Sequence, residues 1–251
     1  MRFITLANMP AYSLELSGGP LLALQERMPT PVTADQTLAE LATAHTTASR
    51  VFLRHRLDFC CGGRRKLADA CNELGLDAAA IVAEIAAADE APPAERWETK
   101  PLADLIAFVL TQFHEPLRKD LPALVEAARK VERVHRSKAT CPQGLATLLE
   151  RLHVEIQQHL AKEEQVLFPA IRAGIHGAPV HMPIRVMIEE HDDHGASLRR
   201  LREIATDFNP PPEACATWRA LYAGLEKLES ELMDHIHLEN NVLFQRALHV
   251  D

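Results

Sequence analysis

The chain has 251 residues and lacks the features of several classes of protein. Its longest purely apolar runs, such as 105–110, span about six residues, whereas a transmembrane helix needs roughly 20. No basic segment leads into an apolar stretch at the N-terminus, so we expect neither a secretory signal nor a membrane partner. Lys and Arg form no cluster that could track phosphates, and the formal net charge is −8, which argues against nucleic acid as a partner.

Cysteine and aromatic residues are also scarce. The cysteine count of 5 is odd and two of them are adjacent, which argues against a disulfide framework and indicates a cytoplasmic, reducing environment. Phe, Tyr and Trp together make up 5% of the chain, whereas histidine alone contributes 13 residues. An apolar content of 47% with 25% charged residues is typical of a folded globular protein, so the abundance of histidine needs its own explanation.

Four segments follow one another along the chain. Residues 1–32 contain several Gly and Pro and show no sustained periodicity, which predicts a poorly ordered extension. Short Ala-rich patterns over 33–88 predict a small helical domain, and the prolines within 89–100 predict a linker. Residues 101–251 carry four long amphipathic patterns separated by breaks at 137–142, 173–183 and 207–212. The predicted fold is therefore all-α, an up-down-up-down four-helix bundle preceded by a small helical domain.

Histidine and glutamate interrupt the apolar stripes of the predicted bundle. The stripe of the second long helix runs at 3-4 spacing into His159 and Glu163 and is expected to resume at Val166. The stripe of the fourth helix runs in the same way into His235 and Glu239. Core-facing positions should be apolar, and a buried carboxylate is costly unless it is paired or binds a metal. The two His-x3-Glu pairs therefore call for a shared explanation.

The other two long helices each add one histidine at a core-facing position, His114 and His191. The segment His-x3-Glu-x2-Val-Leu-Phe occurs twice, and its histidine follows one of these lone histidines by 45 and by 44 residues. The bundle thus contains two copies of one helix pair. Pseudo-twofold symmetry predicts that four histidines and two glutamates meet inside it.

This set of side chains suits two transition-metal ions, each held by at least two histidines and bridged by both carboxylates. Nitrogen and oxygen donors without thiolate favour iron or manganese over a structural zinc site. Such a centre leaves positions for an oxo or hydroxo bridge and for a small ligand such as O2 or NO. The alternative, solvated His and Glu faces on ordinary helices, is hard to reconcile with six core-facing residues in a repeated pattern.

Three further residues are expected near the centre. Glu155 lies one turn before His159 on the same face, and Glu190 directly precedes His191, so both are candidates to orient the imidazoles from outside. His194 also occupies a core-facing position. It is either a fifth nitrogen ligand or, since its counterpart in the repeat is a leucine, a residue that lines the cavity.

Cys60 and Cys61 are followed by two glycines and three basic residues at 64–66. Flexible glycines are expected to expose the thiols, and the cations to favour thiolate. The pair is then a candidate to take up or transfer iron, or to accept NO. The structural alternative is that adjacent cysteines simply pack, because cysteine is among the most buried residue types.

Several motifs resemble those of one known family. Residues 58–63 read Asp-Phe-Cys-Cys-Gly-Gly, residues 162–169 contain Lys-Glu-Glu-x-x-Leu-Phe-Pro, and residues 234–244 contain Asp-His-x-x-Leu-Glu-Asn-Asn-Val-Leu-Phe. From about residue 33 the chain resembles the Repair of Iron Centres family, the YtfE/ScdA-like di-iron proteins with a hemerythrin-like domain. The first 32 residues have no counterpart in that resemblance.

The resemblance implies two non-haem iron ions bound by the same six residues that the spacing indicates: His114, His159, Glu163, His191, His235 and Glu239. It also implies a cytoplasmic stress protein, often homodimeric, that repairs iron–sulfur clusters damaged by nitric oxide or peroxide. Its partners would be damaged cluster proteins and an electron donor, with NO and O2 as small ligands. Two alternatives remain open: a hemerythrin-like O2 or NO carrier or sensor, for which carriers use five histidines, and an NO reductase at the same site.

Overall fold

The computed structural model describes residues 31–45, 47–88, 97 and 99–249. The described residues from Val32 onward belong to one compact unit. The predicted extension lies outside the described residues except for its last two positions, and so does most of the predicted linker. Regular structure in the described residues is helical apart from one isolated bridge, which confirms the all-α prediction. None of the described helices is long and apolar enough to cross a bilayer.

The small module, residues 33–88, consists of four short helices. Thr37 starts the first of them, because its side chain and that of Glu40 cap each other's backbone N–H groups. Gly75, at φ 67°, ends the third in a left-handed conformation that suits glycine. The helices are α1 (Leu38–Ala44), α2 (Ala48–Arg54), α3 (Leu67–Leu74) and α4 (Ala78–Ala88).

The bundle, residues 101–249, contains four long helical rods, three of which include a π-helical turn. The first two rods form the first helix pair: α5 (Leu102–Val109), a π turn at Leu110–His114, α6 (Glu115–His135), then α7 (Leu145–Lys162), a π turn at Glu163–Leu167 and α8 (Phe168–Arg172). The other two form the second helix pair: α9 (Ala178–Ile204), then α10 (Ala216–Leu238), a π turn at Glu239–Leu243 and α11 (Phe244–Leu248). The predicted bundle is thereby confirmed.

The third rod begins earlier than the sequence suggested. Its first residue is Ala178, so Pro183 lies inside α9 rather than at the end of a break. A second proline occupies the first turn, where no backbone N–H is needed.

Each π turn begins or ends at one of the core-facing His or Glu residues. A π turn inserts one residue relative to an α-helix and so shifts the face that follows it. The prediction that the apolar stripe resumes at Val166 is accordingly wrong, since that side chain is 60% exposed. Leu167 and Ile171, one position later, are each 2% exposed and take its place in the core.

The small module packs onto the second helix pair. Its helix α2 contacts α10, and Met233 packs against the apolar cores of both the bundle and the module. Cys60 comes from the module but belongs to the core cluster of the bundle. The predicted metal-binding residues lie between this cluster and a second apolar cluster formed around Phe168 and Phe244.

Candidate metal centre

The six predicted ligands converge in the interior of the bundle. They form two groups, each with two histidines, and both groups share Glu163 and Glu239. Each member offers one ligand atom, and within a group these atoms all lie within 4.8 Å of one another. The six side chains are buried, as a site shielded from bulk water requires. The histidines pair as His114 with His235 and His159 with His191.

In the first group the Nε2 atoms of His114 and His235 lie 3.1 Å apart. The Oε1 atom of Glu239 is 3.0 Å from Nε2 of His235 and 3.7 Å from that of His114. Glu163 approaches His114 through Oε2 at 3.5 Å. Four donor atoms thus surround one point on this side of the carboxylates.

The second group repeats this arrangement with the remaining carboxylate oxygens. The Nε2 atoms of His159 and His191 are 3.0 Å apart. Oε1 of Glu163 lies 3.4 Å from His159, and Oε2 of Glu239 lies 3.2 Å from His191. Each glutamate therefore presents one oxygen to each group, which is the placement that a bridging carboxylate needs.

The residues fit a pair of metal ions on two counts. All four carboxylate oxygens of Glu163 and Glu239 are buried without a hydrogen-bond partner among the described residues. Buried carboxylates need a compensating positive charge, which metal ions bound at these oxygens would supply. Two donors about 2.1 Å from a shared ion, at angles between about 90° and 120°, stand about 3.0–3.6 Å apart, close to the spacings found here.

Two carboxylates outside the groups hold imidazoles of the first helix pair. Glu164 accepts a hydrogen bond at 2.7 Å from Nδ1 of His114, and Arg118 donates to the same oxygen. Glu190 lies 2.9 Å from Nδ1 of His159 and pairs with Lys162. A partner at Nδ1 fixes the tautomer that leaves Nε2 free to bind a metal.

The histidines of the second helix pair have different surroundings. Nδ1 of His191 lies 2.8 Å from Oδ1 of Asn240, and the imidazole stacks on Phe244. Nδ1 of His235 is buried with no partner among the described residues, and Phe113 stacks on this ring at 5.2 Å between centroids. Here a neutral amide and aromatic rings replace the carboxylates.

Only part of the set expected around the ligands is placed there. Glu190 contacts an imidazole, but that of His159 rather than its chain neighbour. Glu155 lies away from the rings and pairs with Arg151 at 3.5 Å, because its side chain projects toward solvent and is 41% exposed. Sequence reasoning missed Glu164 and Asn240, although both directly follow a glutamate of the His-x3-Glu repeat.

His194 belongs to neither metal-binding group. It lines a small pocket with His159, His191 and His235, and its ring centroid is 5.0 Å from that of His159. Burial, together with the positive charge of these neighbours, lowers its pKa to about 2. Its Nδ1 is buried and has no partner among the described residues. Of the two expectations for His194, its placement matches the cavity-lining residue.

Burial and the facing carboxylates have opposite effects on the pKa of the imidazoles in the metal-free centre. Burial opposes the charged form of His159, but Glu163, Glu239 and Glu190 outweigh it and raise the pKa to about 9. For His235, burial prevails and the pKa is lowered. Burial also acts against ionised Glu239, yet the facing histidines hold its pKa well below the usual value. Without metal, a protonated His159 therefore helps to balance the buried carboxylates, and a metal ion would displace that proton as it binds.

The expectation of exposed, cation-activated thiols is wrong for Cys60. This side chain is 3% exposed, and the adjacent thiol, burial and Asp58 raise its pKa well above the usual value. The nearby cations do not stabilise a thiolate, because they pair with carboxylates of the module. Arg65 pairs with Glu73, and Lys66 pairs with Asp35. The loop instead docks on the bundle, where Cys61 Sγ lies 3.4 Å from the backbone oxygen of His191.

Two family models match the chain. The hemerythrin HHE cation binding domain matches residues 105–247, which include all six candidate ligands. The ScdA_N domain, described as a domain of unknown function, matches residues 34–89 and so covers the small module.

Curated relatives match over nearly their whole length. The iron-sulfur cluster repair protein YtfE of Yersinia pseudotuberculosis serotype IB (strain PB1/+) is 46% identical over 215 residues, which cover 85% of this chain and 97% of the relative. YtfE of Yersinia pestis (strain Pestoides F) is likewise 46% identical over 215 residues, with the same coverage.

Proposed function

Because this chain belongs to the family of YtfE iron–sulfur cluster repair proteins, which join a ScdA_N domain to a hemerythrin HHE cation binding domain, we propose that it repairs iron–sulfur clusters damaged by nitric oxide or oxidants. Repair would take place in the cytoplasm, with damaged cluster proteins as partners and NO and O2 as small ligands. The protein would act as a homodimer. The observation that carries the proposal is the pair of buried groups that share both glutamates.

The six clustered side chains would hold two non-haem iron ions. His114 and His235 would bind one iron, His159 and His191 the other, and Glu163 and Glu239 would bridge them. When bound, the irons supply one-electron redox chemistry and affinity for NO and O2.

The protein's own residues orient the candidate ligands and shield this centre from water. Glu164, Glu190 and Asn240 hold the Nδ1 positions of three ligands, so that Nε2 faces the metal. Apolar clusters on both sides exclude water. His194 stays neutral beside the candidate ligands, and its Nδ1 is buried without a partner among the described residues.

His194 also bears on the carrier alternative. A carrier with five histidines would need it as a ligand, but it lies outside both groups. No second function is therefore advanced.

The test combines metal analysis with a repair assay. The purified protein should contain about two irons per chain and should restore activity to a cluster enzyme inactivated by NO. The His159→Ala variant should lose both metal and repair. A stable, reversible O2 adduct without repair would contradict the proposal in favour of oxygen transport, and a zinc-only protein without redox response would contradict both.

Cys60 and Cys61 complete the proposal as the thiols that transfer iron or NO. Their loop touches the backbone of His191 and therefore adjoins the centre. A Cys60→Ser/Cys61→Ser variant should keep its bundle iron yet repair nitrosylated clusters poorly. Unchanged repair would remove the cysteines from the mechanism.

A further inference from the structure

The loop at residues 58–62 brings together a second set of possible metal ligands. Asp58, Cys60 and Cys61 each offer one ligand atom, and these atoms lie within 4.8 Å of one another. Cys60 Sγ is 3.6 Å from Cys61 Sγ and 3.4 Å from Asp58 Oδ1. None of these residues belongs to the two groups in the bundle.

These separations match the corners of a tetrahedral metal site. With metal–sulfur bonds of about 2.3 Å and a metal–oxygen bond of about 2.0 Å, tetrahedral angles place two sulfurs about 3.8 Å apart and a sulfur and an oxygen about 3.5 Å apart. The loop already has separations of 3.6 and 3.4 Å for these pairs, so an ion requires little rearrangement.

Backbone contacts hold the loop in this shape. Asp58 Oδ1 accepts hydrogen bonds from the N–H groups of Cys61 and Gly62, at 3.0 and 3.1 Å. Side chains at the two glycines would not fit, because a Cβ at Gly62 would lie 2.8 Å from the backbone oxygen of Asp58, and one at Gly63 would lie 2.5 Å from that of Phe59. The Gly-Gly sequence therefore allows a tight turn that directs both thiols to one point, rather than a flexible loop.

The bundle holds the other side of the loop. Asn240 donates a hydrogen bond to the backbone oxygen of Cys60 at 3.3 Å. Cys61 Sγ lies 3.4 Å from the position that a Cβ would take at Gly195, so this glycine leaves room for the thiol. The pair of cysteines is thus enclosed between the module and α9.

A cavity gives an ion access to this set. Its volume is about 520 Å³, and it lies between the module and the second helix pair. Asp58 and Cys60 form part of its wall, and Gly195, Arg199 and Met233 face them. Arg199 lies 3.7 Å from Oδ2 of Asp58 and would offset part of the negative charge of a dithiolate site. The cavity leaves room for a fourth ligand from solvent or from a partner protein.

We propose that Asp58, Cys60 and Cys61 form a second metal site, separate from the centre in the bundle, which binds one divalent cation with affinity for thiolate. Binding transfers both thiol protons to solvent and forms two metal–thiolate bonds without any change in oxidation state. That the cation is Fe²⁺ rests on the proposed function, whereas the site itself does not. A site with three protein ligands and an open position suits an ion in transit better than a structural ion.

Co²⁺ is the probe for this site. The two groups in the bundle offer only nitrogen and oxygen donors, so an intense thiolate-to-cobalt absorption band comes from a site outside them, and cysteine variants assign it to the loop. Protein whose bundle is already loaded with iron should bind about one Co²⁺ per chain and show this band. Each Co²⁺ should release about two protons as it binds.

Variants decide between this site and adventitious binding. Cys60→Ser/Cys61→Ser should abolish the band, and Asp58→Asn should weaken Co²⁺ binding at least about tenfold, while the new amide oxygen still accepts the backbone hydrogen bonds. Cys215→Ser, which changes an exposed cysteine elsewhere, is the matched control and should bind Co²⁺ normally. Retained bundle iron shows that each variant is folded.

The proposal would be overturned by the absence of a thiolate band in the iron-loaded protein, or by a band that survives the double substitution. If Asp58→Asn bound Co²⁺ with the same affinity as the wild type, the carboxylate would not be a ligand of this site. Bundle iron content is measured separately, so a failure of the two-iron proposal is distinguishable from a failure of this one.

Discussion

The two helix pairs of the bundle carry equivalent candidate ligands but differ at the residues that hold them. Glu164 and Asn240 occupy equivalent positions, each directly after the glutamate of a His-x3-Glu segment. Each holds the lone histidine of its own pair, Glu164 at 2.7 Å from His114 and Asn240 at 2.8 Å from His191. One partner is a charged carboxylate and the other a neutral amide.

A second pair of equivalent positions differs even more. Phe113 and Glu190 each directly precede a lone histidine, and each contacts the other histidine of the opposite helix pair. Glu190 accepts a hydrogen bond from Nδ1 of His159, whereas Phe113 stacks on His235, whose Nδ1 has no partner among the described residues. The repeat in the sequence therefore keeps the candidate ligands equivalent in the two pairs, but not the groups at their Nδ1 atoms.

Contact with the small module explains why position 240 has an amide where position 164 has a carboxylate. Asn240 is 6% exposed and donates to the backbone oxygen of Cys60 while it accepts from His191. A carboxylate has no hydrogen to donate and would face that oxygen across a buried contact. The Glu164 side chain is 27% exposed and pairs with Arg118, which can neutralise it. Asymmetry around the centre thus follows from which side the module covers.

The largest expected effect comes from a residue that both halves share. Glu239→Ala should remove both irons, because this carboxylate contacts His114 and His235 in one group and His191 in the other. Metal analysis should find the chain nearly iron-free. Substitution of His114, which belongs to one group only, is the comparison and should first weaken that site. Retention of one tightly bound iron in Glu239→Ala would show that the carboxylate does not bridge.

The next largest effect is expected for Glu190, the carboxylate that contacts His159 of the first helix pair. Glu190→Gln should weaken iron binding by about 10–100-fold, because the amide makes the imidazole of His159 less basic. A competition titration against a chelator measures the affinity. Glu155→Gln is the matched control, since this glutamate pairs with Arg151 at the surface, and its affinity should stay within about twofold of the wild type. Equal losses in both variants would refute a specific role for Glu190.

Heptad phase was enough to single out the six His and Glu residues that cluster in the bundle, because both the repeat and the core-facing spacing are local properties of the helices. The heptad prediction failed three residues after Glu163, where the π turn shifts the apolar face from Val166 to Leu167. The pattern of apolar residues did not predict the π turns, each of which begins or ends at one of the clustered His or Glu residues.

The sequence did not predict how the loop with Cys60 and Cys61 packs on the bundle. Basic residues beside Cys60 and Cys61 suggested exposure, yet the contacts that enclose the loop come from residues 130 and 180 positions further along the chain. Asn240 offered a usable indication, because it stands where the first repeat has glutamate. Here the change from acid to amide coincides with the buried contact between the bundle and Cys60.

A third prediction tests that interface directly. Asn240→Asp should lower the free energy of unfolding by about 1–3 kcal/mol, because it places a carboxylate against the backbone oxygen of Cys60 and removes a hydrogen-bond donor. Urea unfolding followed by circular dichroism measures the change. Glu164→Gln, the equivalent change outside the interface, should cost less than about 1 kcal/mol. If both variants lost equal stability, the covered and open halves would not differ in the way that their contacts indicate.

The smallest effect concerns Asp234, which directly precedes His235. It interacts with Ser49 and Arg50 of the module, whereas Gln158, at the equivalent position before His159, is exposed. Burial raises the pKa of Asp234 from 3.8 to about 6 and outweighs the opposing influence of these two neighbours. The folded state therefore binds more protons than the unfolded state between these two values, and stability attributable to this residue falls as the pH rises through that window.

Asp234→Asn removes this titration, so its unfolding free energy relative to the wild type should rise from near zero at pH 4 to about 1 kcal/mol at pH 7. The gain is smaller than the pKa shift alone implies, because the attraction to Arg50 is lost with the charge. Metal-free protein, unfolded in urea across this pH range, isolates the effect, and Gln158→Asn should show no such pH dependence. A constant difference between Asp234→Asn and wild type would mean that the carboxyl group is not desolvated by the module. Only a pH-dependent gain on the covered side, absent from the open side, fits a module that docks at the cost of burying this charge.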